Sequence, residues 1–183
     1  MADWKTLKSE IVYETPWIRV RRDEVLNQNG RPLTFSYMEL QNPSVFIVAT
    51  NHKGEILLQS AYRYTVGERF WEIPAGQMES DEQPLEAAKR ELIEETGLVS
   101  SDWQDLGKFY QILGTGNVPT HCFLASNARS TGEATDKDED IESRTFMSLE
   151  AIERMIKEGE LVDSPVIAAI YMAKLHGLQK EEQ

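Results

Sequence analysis

The sequence predicts an α/β fold: a β-sheet sandwiched by helices, with an antiparallel β-unit in front of it. Three observations carry the prediction. Apolar and polar residues alternate with period two through about residue 40. After Asn42-Pro43 the pattern runs strand, strand, helix, strand, strand, helix, helix. The chain has 183 residues, enough for one domain with a real core and a small appendage, and too few for two ordinary domains.

Taken in order, Ile11 to Glu14 and Trp17 to Val25 are rich in aromatic and β-branched residues. Asn27-Gln28-Asn29-Gly30 signals a turn, and Leu33, Phe35 and Tyr37 alternate with Thr34 and Ser36 toward Leu40. Residues 1–40 therefore read as an N-terminal β-unit and 41–183 as the main domain; the alternative is that the first strands begin the main sheet. Val45 to Ala49 and Ile56 to Tyr62 read as strands joined at Asn51-His52-Lys53-Gly54, and Pro74-Ala75-Gly76 as a turn. Pro84 to Thr96 reads as a helix stopped by Gly97. Leu106 to Tyr110 and Thr120 to Ala125 are strands, and Ser126 to Asp140 a long polar loop. Two helices follow, one from Leu149 to Glu158 between Ser148 and Gly159, the other from Ser164-Pro165.

Nineteen Lys and Arg against 31 Asp and Glu give a net charge of −12. Such a surface repels nucleic acid and anionic membranes. The single cysteine, Cys122, excludes an internal disulfide framework and fits a reducing compartment. The apolar stretches are strand-sized and Met1-Ala2-Asp3-Trp4-Lys5 has no apolar signal core, so the expectation is a cytoplasmic protein.

Chemistry concentrates between Gly76 and Leu98. On the helix there, Glu91 and Glu95 stack one turn apart and Glu94 borders the same stripe. Like charges so spaced cost ~0.2–0.5 kcal/mol per pair. A divalent cation such as Mg²⁺, which takes oxygen ligands, removes the conflict. Arg90, four residues before Glu94, is placed to hold one carboxylate, and a main-chain carbonyl of the Pro74-Ala75-Gly76 turn is placed to reach the same cation. The helix spacing by itself equally fits a solvated acidic face.

The whole segment resembles the Nudix box, G-x5-E-x7-R-E-U-x-E-E-x-G-U with U aliphatic. Gly76, Glu82, Arg90, Glu91, Glu94, Glu95 and Gly97 match every fixed position, with Leu92 and Leu98 as the aliphatics. A chance match at a given start is on the order of 10⁻⁸. The resemblance implies an α/β/α sandwich around a mixed β-sheet and hydrolysis of nucleoside diphosphates linked to another moiety, with Mg²⁺ or Mn²⁺. It implies Glu91 and Glu95 as the main metal ligands, Glu94 as an additional one and Ala75 through its carbonyl, with Gly76 permitting the turn and Arg90 orienting a glutamate.

The flanks, Ala61-Tyr62-Arg63-Tyr64 and Trp71-Glu72-Ile73-Pro74-Ala75-Gly76, resemble those of ADP-ribose pyrophosphatases and related nucleotide-sugar hydrolases. That subgroup implies a homodimer built with the N-terminal unit, often by exchange between subunits, which also contributes to the substrate site. Many members have Ser-Pro-Gly after the tyrosine. Here Gln111-Ile112-Leu113-Gly114 keeps the glycine, counted with the substrate site, and lacks the proline, which leaves room for other nucleotide sugars such as GDP-mannose.

In the subgroup the general base is a glutamate on a late loop. The acidic stretch Asp136 to Glu142 supplies it here, with Glu139 first and Glu142 second, against a reading of the stretch as a solvated charge run. Arg63 reads either as a phosphate clamp or as an ion pair with Glu68 or Glu72, and Glu72 as lining the metal site or anchoring its strand. Trp17 or Tyr37 is placed to stack on the base or to pack in the core. Two other functions are compatible with the sequence: hydrolysis of dinucleoside polyphosphates or oxidised nucleotides, which the N-terminal β-unit disfavours, and a non-catalytic nucleotide sensor, which the complete set of box glutamates disfavours.

Overall fold

The computed structural model describes residues 4–132 and 141–178. In chain order its elements are β1 (Lys5–Glu14), β2 (Ile18–Leu26), β3 (Pro32–Leu40), β4 (Ser44–Ala49), β5 (Ile56–Arg63), β6 (Glu68–Glu72), β7 (Ala75–Gln77), α1 (Pro84–Thr96), β8 (Leu98–Val99), β9 (Asp102–Tyr110), β10 (Gly116–Asn117), β11 (Pro119–Ser126), β12 (Arg129–Ser130), β13 (Ile141–Met147), α2 (Leu149–Glu158) and α3 (Ser164–Leu175). They divide into two compact units. One runs up to Pro43 and also takes in Tyr110–Pro119; the other holds Ser44–Phe109 and the described residues from Thr120 on.

In the first unit, β1, β2 and β3 form an antiparallel sheet of their own, and β10 adds in parallel to β3. The β2–β3 turn is the one the asparagines and Gly30 predict. Asn27 Oδ1 accepts from the N–H groups of Asn29 and Arg31 at 2.9 and 3.0 Å, and Gly30 takes a φ of 73°. Strand β1 begins at Lys5, six residues before the apolar pattern signals it. It is held by its ladder to β2 and not by burial, so its side chains carry little hydrophobic signal.

The second unit is built on a mixed sheet, β7-β4-β11-β9, in which β4 runs parallel to β11 and antiparallel to β7. A second sheet, β13-β5-β6, is antiparallel. All six residues of β4 are buried, as a strand covered on both faces must be. Its side chains divide by period two. Val45, Ile47 and Ala49 pack with Ala87, Ala88 and Leu92 of α1, whereas Phe46 and Val48 pack with Ile152 and Met155 of α2 and Val166, Ala169 and Ile170 of α3. Helices on both faces of one mixed sheet make the α/β/α sandwich. Full burial of a side chain such as Leu92 stabilises by about 1.5–3 kcal/mol.

Three features depart from the sequence reading. The turn at Asn51–Gly54 is present, yet β4 and β5 belong to different sheets and meet only at an isolated Thr50–Ile56 bridge. The Pro74-Ala75-Gly76 turn is a strand from Ala75 onward, because its backbone pairs with Val45 and Phe46 of β4. Strands β6 and β13 carry no clear alternation and form because β5 lies between them with a free ladder on each side. Among the described residues, no helix is long and apolar enough to cross a membrane.

Candidate active site

Helix α1 starts with Pro84 in its first turn and ends at Gly97, whose φ of 68° is the left-handed conformation glycine adopts without strain. The apolar residues Ala87, Ala88 and Leu92 dock the helix on β4, and the stripe beside them is acidic. Glu91 is 9% exposed and Glu95 1%. A solvated acidic face is thereby excluded: two carboxylates lie inside the protein, where charge persists only with partners.

Arg90 supplies one set of partners. Its Nε and Nη2 donate to the two carboxylate oxygens of Glu82, each at 3.0 Å. Its Nη1 donates to Glu91 Oε1 at 2.8 Å and Glu94 Oε2 at 3.0 Å, and Nη2 also reaches the Gln77 carbonyl at 3.2 Å. The spacing predicts that Arg90 holds one carboxylate; in the structure it gathers three. Glu82 hydrogen-bonded to this guanidinium is held below the usual carboxylate range, and the Glu82 contact leads in raising Arg90 further above its own. Glu82 also caps the preceding loop, accepting from the Glu79 N–H at 2.9 Å.

Glu95 is held differently. Its Oε1 accepts from the Ala75 N–H at 3.2 Å and its Oε2 from Gln59 Nε2 at 2.6 Å. Arg144 of β13 donates to the Glu95 carbonyl. Gln59 was not singled out in the sequence, although an amide inside the run Ile56-Leu57-Leu58 is a legible signal. Gly76 has a role other than a turn. A Cβ there would lie 2.1 Å from Glu91 Cδ and Oε1 and 2.4 Å from Oε2, so the glycine is needed for space beside the carboxylate.

This set suits a hard divalent cation: carboxylate oxygens facing a strand backbone without side chain at Gly76. Among the described residues, no three acidic, imidazole or thiol groups already converge on one point as a closed ligand shell. Arg90 draws Glu82, Glu91 and Glu94 around itself while Glu95 is held from the other side.

Arg63 and Glu72 are brought together as an ion pair, Nε to Oε1 at 2.7 Å with Nη2 on Oε2. They line a cavity of about 440 Å³ with Phe70, Asp163 and Ser164. Burial first, then the charge of Glu72, raises the Asp163 carboxyl above its ordinary range. A folded-state pKa above the unfolded one means the proton is bound more tightly in the native protein. Asp163 therefore costs stability progressively as pH rises through its folded pKa, and costs nothing below the unfolded carboxylate range near about pH 4. Asp163→Asn is expected to raise the melting temperature by about 2–4 °C at pH 8 and not at pH 3; equal shifts at both pH values would refute the charge as the cause.

Glu142 lies in β13 at an irregularity of register opposite Ala61 and Ser60, with its carboxylate 3.3 Å from Arg69 Nε. Glu139 lies outside the described residues. Cys122 is fully buried and burial pushes its thiol up to about 12, which removes it as a nucleophile.

In the N-terminal unit, Trp4, Phe35, Tyr37 and Gly114 line a cavity of about 320 Å³. Tyr37 donates to Asp23 Oδ2 at 3.2 Å, and burial followed by this contact raises the phenol. Trp17 is not among the lining residues. It is 67% exposed at the β1–β2 turn, so neither core packing nor that cavity accounts for it.

Two family models match. The NUDIX domain matches residues 40–170 and the nucleoside diphosphate sugar hydrolase N-terminal domain residues 4–38. An ADP-ribose pyrophosphatase of Mycobacterium tuberculosis is 34% identical over 171 residues, covering 92% of this chain and 82% of the relative. A methanol dehydrogenase activator of Bacillus methanolicus is 27% identical over 180 residues, covering 97% and 96%. A crystal structure of an ADP compounds hydrolase superposes with a TM-score of 0.82 at 17% identity, covering 97% of each chain, a likeness of fold. Nudix hydrolases generally require a divalent metal ion. With a NUDIX domain spanning well over half of its length and the box glutamates gathered on α1, the chain belongs to the Nudix family of pyrophosphohydrolases.

Proposed function

We infer that the chain hydrolyses the pyrophosphate bond of a nucleoside diphosphate sugar, of ADP-ribose or GDP-mannose type, to a nucleoside monophosphate and a sugar phosphate. The observation that carries this is the pair of buried carboxylates, Glu91 and Glu95, facing a strand cleared of side chain at Gly76. The matched N-terminal module and the ADP-ribose pyrophosphatase relative support the substrate class.

Glu91, Glu95 and Glu94, with the Ala75 carbonyl, would hold the cation, proposed to be Mg²⁺ with Mn²⁺ as substitute. When bound, such a cation neutralises phosphate oxygens and lowers the pKa of a coordinated water. Arg90 holds Glu91 and Glu94 in place. Arg63, oriented by Glu72, is the proposed phosphate clamp. A glutamate of the late acidic stretch, Glu139 or Glu142, takes the proton of the attacking water. Glu142 is 64% exposed at its side chain and paired with Arg69, so releasing Arg69 would free it for that proton.

The 320 Å³ cavity of the N-terminal unit offers Trp4, Phe35 and Tyr37 as the aromatic surface for the base, with Gly114 at its edge; Tyr37 is favoured over Trp17 for this role. A second copy of the chain is the proposed partner. In β1, an edge strand, only Glu10 is even partly buried, while Leu7, Ile11, Val12 and Tyr13 are exposed. The reducing cytoplasm is the proposed setting for a protein with one cysteine.

Hydrolysis of ADP-ribose, GDP-mannose, UDP-glucose and NADH, each with Mg²⁺ or with chelator, tests the reading. One of the first two is expected to be cleaved fastest, and chelation to stop turnover. Glu95→Gln is expected to lower kcat/KM by about 100-fold or more with its melting temperature in chelator unchanged. Turnover that survives chelation, or a fully active Glu95→Gln protein, would overturn the mechanism.

A further inference from the structure

Gln59 sits in β5, 1% exposed, directly after the buried aliphatic run Ile56-Leu57-Leu58. It is the largest uncharged polar side chain among the fully buried ones. Its Nε2 donates to Glu95 Oε2 at 2.6 Å. That bond fixes which way the amide faces, since a carboxylate accepts and does not donate. Its Oε1 therefore points away from Glu95, and it is buried with no hydrogen-bond partner.

An unpartnered buried carbonyl destabilises the folded chain, and an aliphatic side chain of the same volume would avoid it. The glutamine is thus not explained by packing. It is explained by what its other end does. Glu95 is itself buried to 1% exposure, its Oε1 accepts from a strand N–H, and its Oε2 is oriented by Gln59. With the Ala75 N–H on one oxygen and the Gln59 amide on the other, the plane of the Glu95 carboxylate is set from two different strands, β7 and β5.

We propose that Gln59 is a positioning residue for Glu95: its amide N–H holds the buried carboxylate in the orientation from which a divalent cation is bound. The proposal rests on Glu95 being a cation ligand. It acts through Glu95 and not on the substrate, so its signature is in metal affinity. Mutation of groups that orient metal ligands typically costs 10–100-fold in affinity.

The test is Mn²⁺ binding to the substrate-free protein, followed by electron paramagnetic resonance, for wild type, Glu95→Gln and Gln59→Met. Methionine keeps the length and loses both polar atoms. The expected result is a 10–100-fold weaker Mn²⁺ affinity for Gln59→Met, with a melting temperature in chelator equal to or above that of wild type. In turnover assays the same variant is expected to need correspondingly more Mg²⁺ for half-maximal rate, with KM for the nucleotide sugar unchanged at saturating Mg²⁺. Should Gln59→Met fail to fold, Gln59→Asn retains the amide one methylene short of Glu95 and is expected to show the same loss. Wild-type Mn²⁺ affinity in Gln59→Met, or in Gln59→Asn when that is the variant read, overturns the role of Gln59 while leaving the metal site standing. Wild-type protein whose Mn²⁺ binding does not change in Glu95→Gln overturns the metal site itself, and the proposal with it.

Discussion

Gly76→Ala is expected to lower kcat/KM by about 100-fold or more while leaving the fold nearly as stable as wild type. The added Cβ would stand 2.1 Å from the Glu91 carboxylate, well inside contact. The strand cannot retreat, because Val45 of the buried β4 pairs with Gly76 and Pro74 accepts from the Ile47 N–H at 2.9 Å. What gives is the far end of Glu91, a side-chain movement that costs little in folding. The displaced carboxylate loses its bond to Arg90 and its place beside Glu95. A misplacement of about 1 Å at a reacting centre can cost on the order of 100-fold. Steady-state kinetics with thermal melting separates the effects: a strongly destabilised variant, or an active one, would each contradict this account.

Arg90→Met is expected to lose both stability and activity. Methionine keeps most of the hydrophobic stem and removes the guanidinium around which Glu82, Glu91 and Glu94 gather. Removing one partner from a buried ionic cluster costs about 3–5 kcal/mol. Arg90 and Glu94 are partly open to water, so screening lowers the expected loss to about 2–3 kcal/mol. For a chain of this size that is a fall of roughly 4–12 °C in melting temperature. The pH dependence has a definite sign. Glu82 has its pKa depressed in the native state, so its contribution is present above the unfolded carboxylate range and is lost as pH falls through the depressed native value. The stability gap between wild type and Arg90→Met is therefore expected to be full at pH 7 and to shrink as the medium is acidified below about pH 4. Urea melts at pH 7 and pH 3 measure it, and a constant gap would show that the guanidinium acts through packing alone.

The helices were legible because their signals are local. Pro84, Gly97, Ser148 and Gly159 punctuate α1 and α2 within a turn of each end, and the Ser148 hydroxyl does accept from the Ala151 N–H. Strand pairing was less legible because a ladder is a property of two segments. Nothing in Ile141–Met147 or Glu68–Glu72 alone announces a strand; both pair with β5. Pro74-Ala75-Gly76 departs from its local turn signal for the same reason. Proline and glycine are turn residues by local preference, and here they border and enter a strand whose partner, β4, lies some thirty residues earlier.

The candidate site divides along the same line. Spacing alone placed Glu91, Glu94 and Glu95 on one stripe of α1 with Arg90 near them, since helical geometry depends only on residues three or four apart. It could not decide whether that stripe faced water. Docking of Ala87, Ala88 and Leu92 on β4 decided it, turning Glu91 and Glu95 inward. Spacing likewise left Arg63 between Glu68 and Glu72; the β5–β6 register sets Glu68 opposite Arg63, yet the guanidinium pairs with the buried Glu72. Residue order is enough to specify the Nudix box, the helix that bears the carboxylates and the charge of the residues around them. Which carboxylates are buried, that Arg90 binds three of them, that Gly76 makes room for Glu91 and that Gln59 reaches Glu95 all follow from the assembled fold. The reason is physical: residue order sets chemistry and local conformation, whereas burial and contact between distant segments exist only once the sheet has formed.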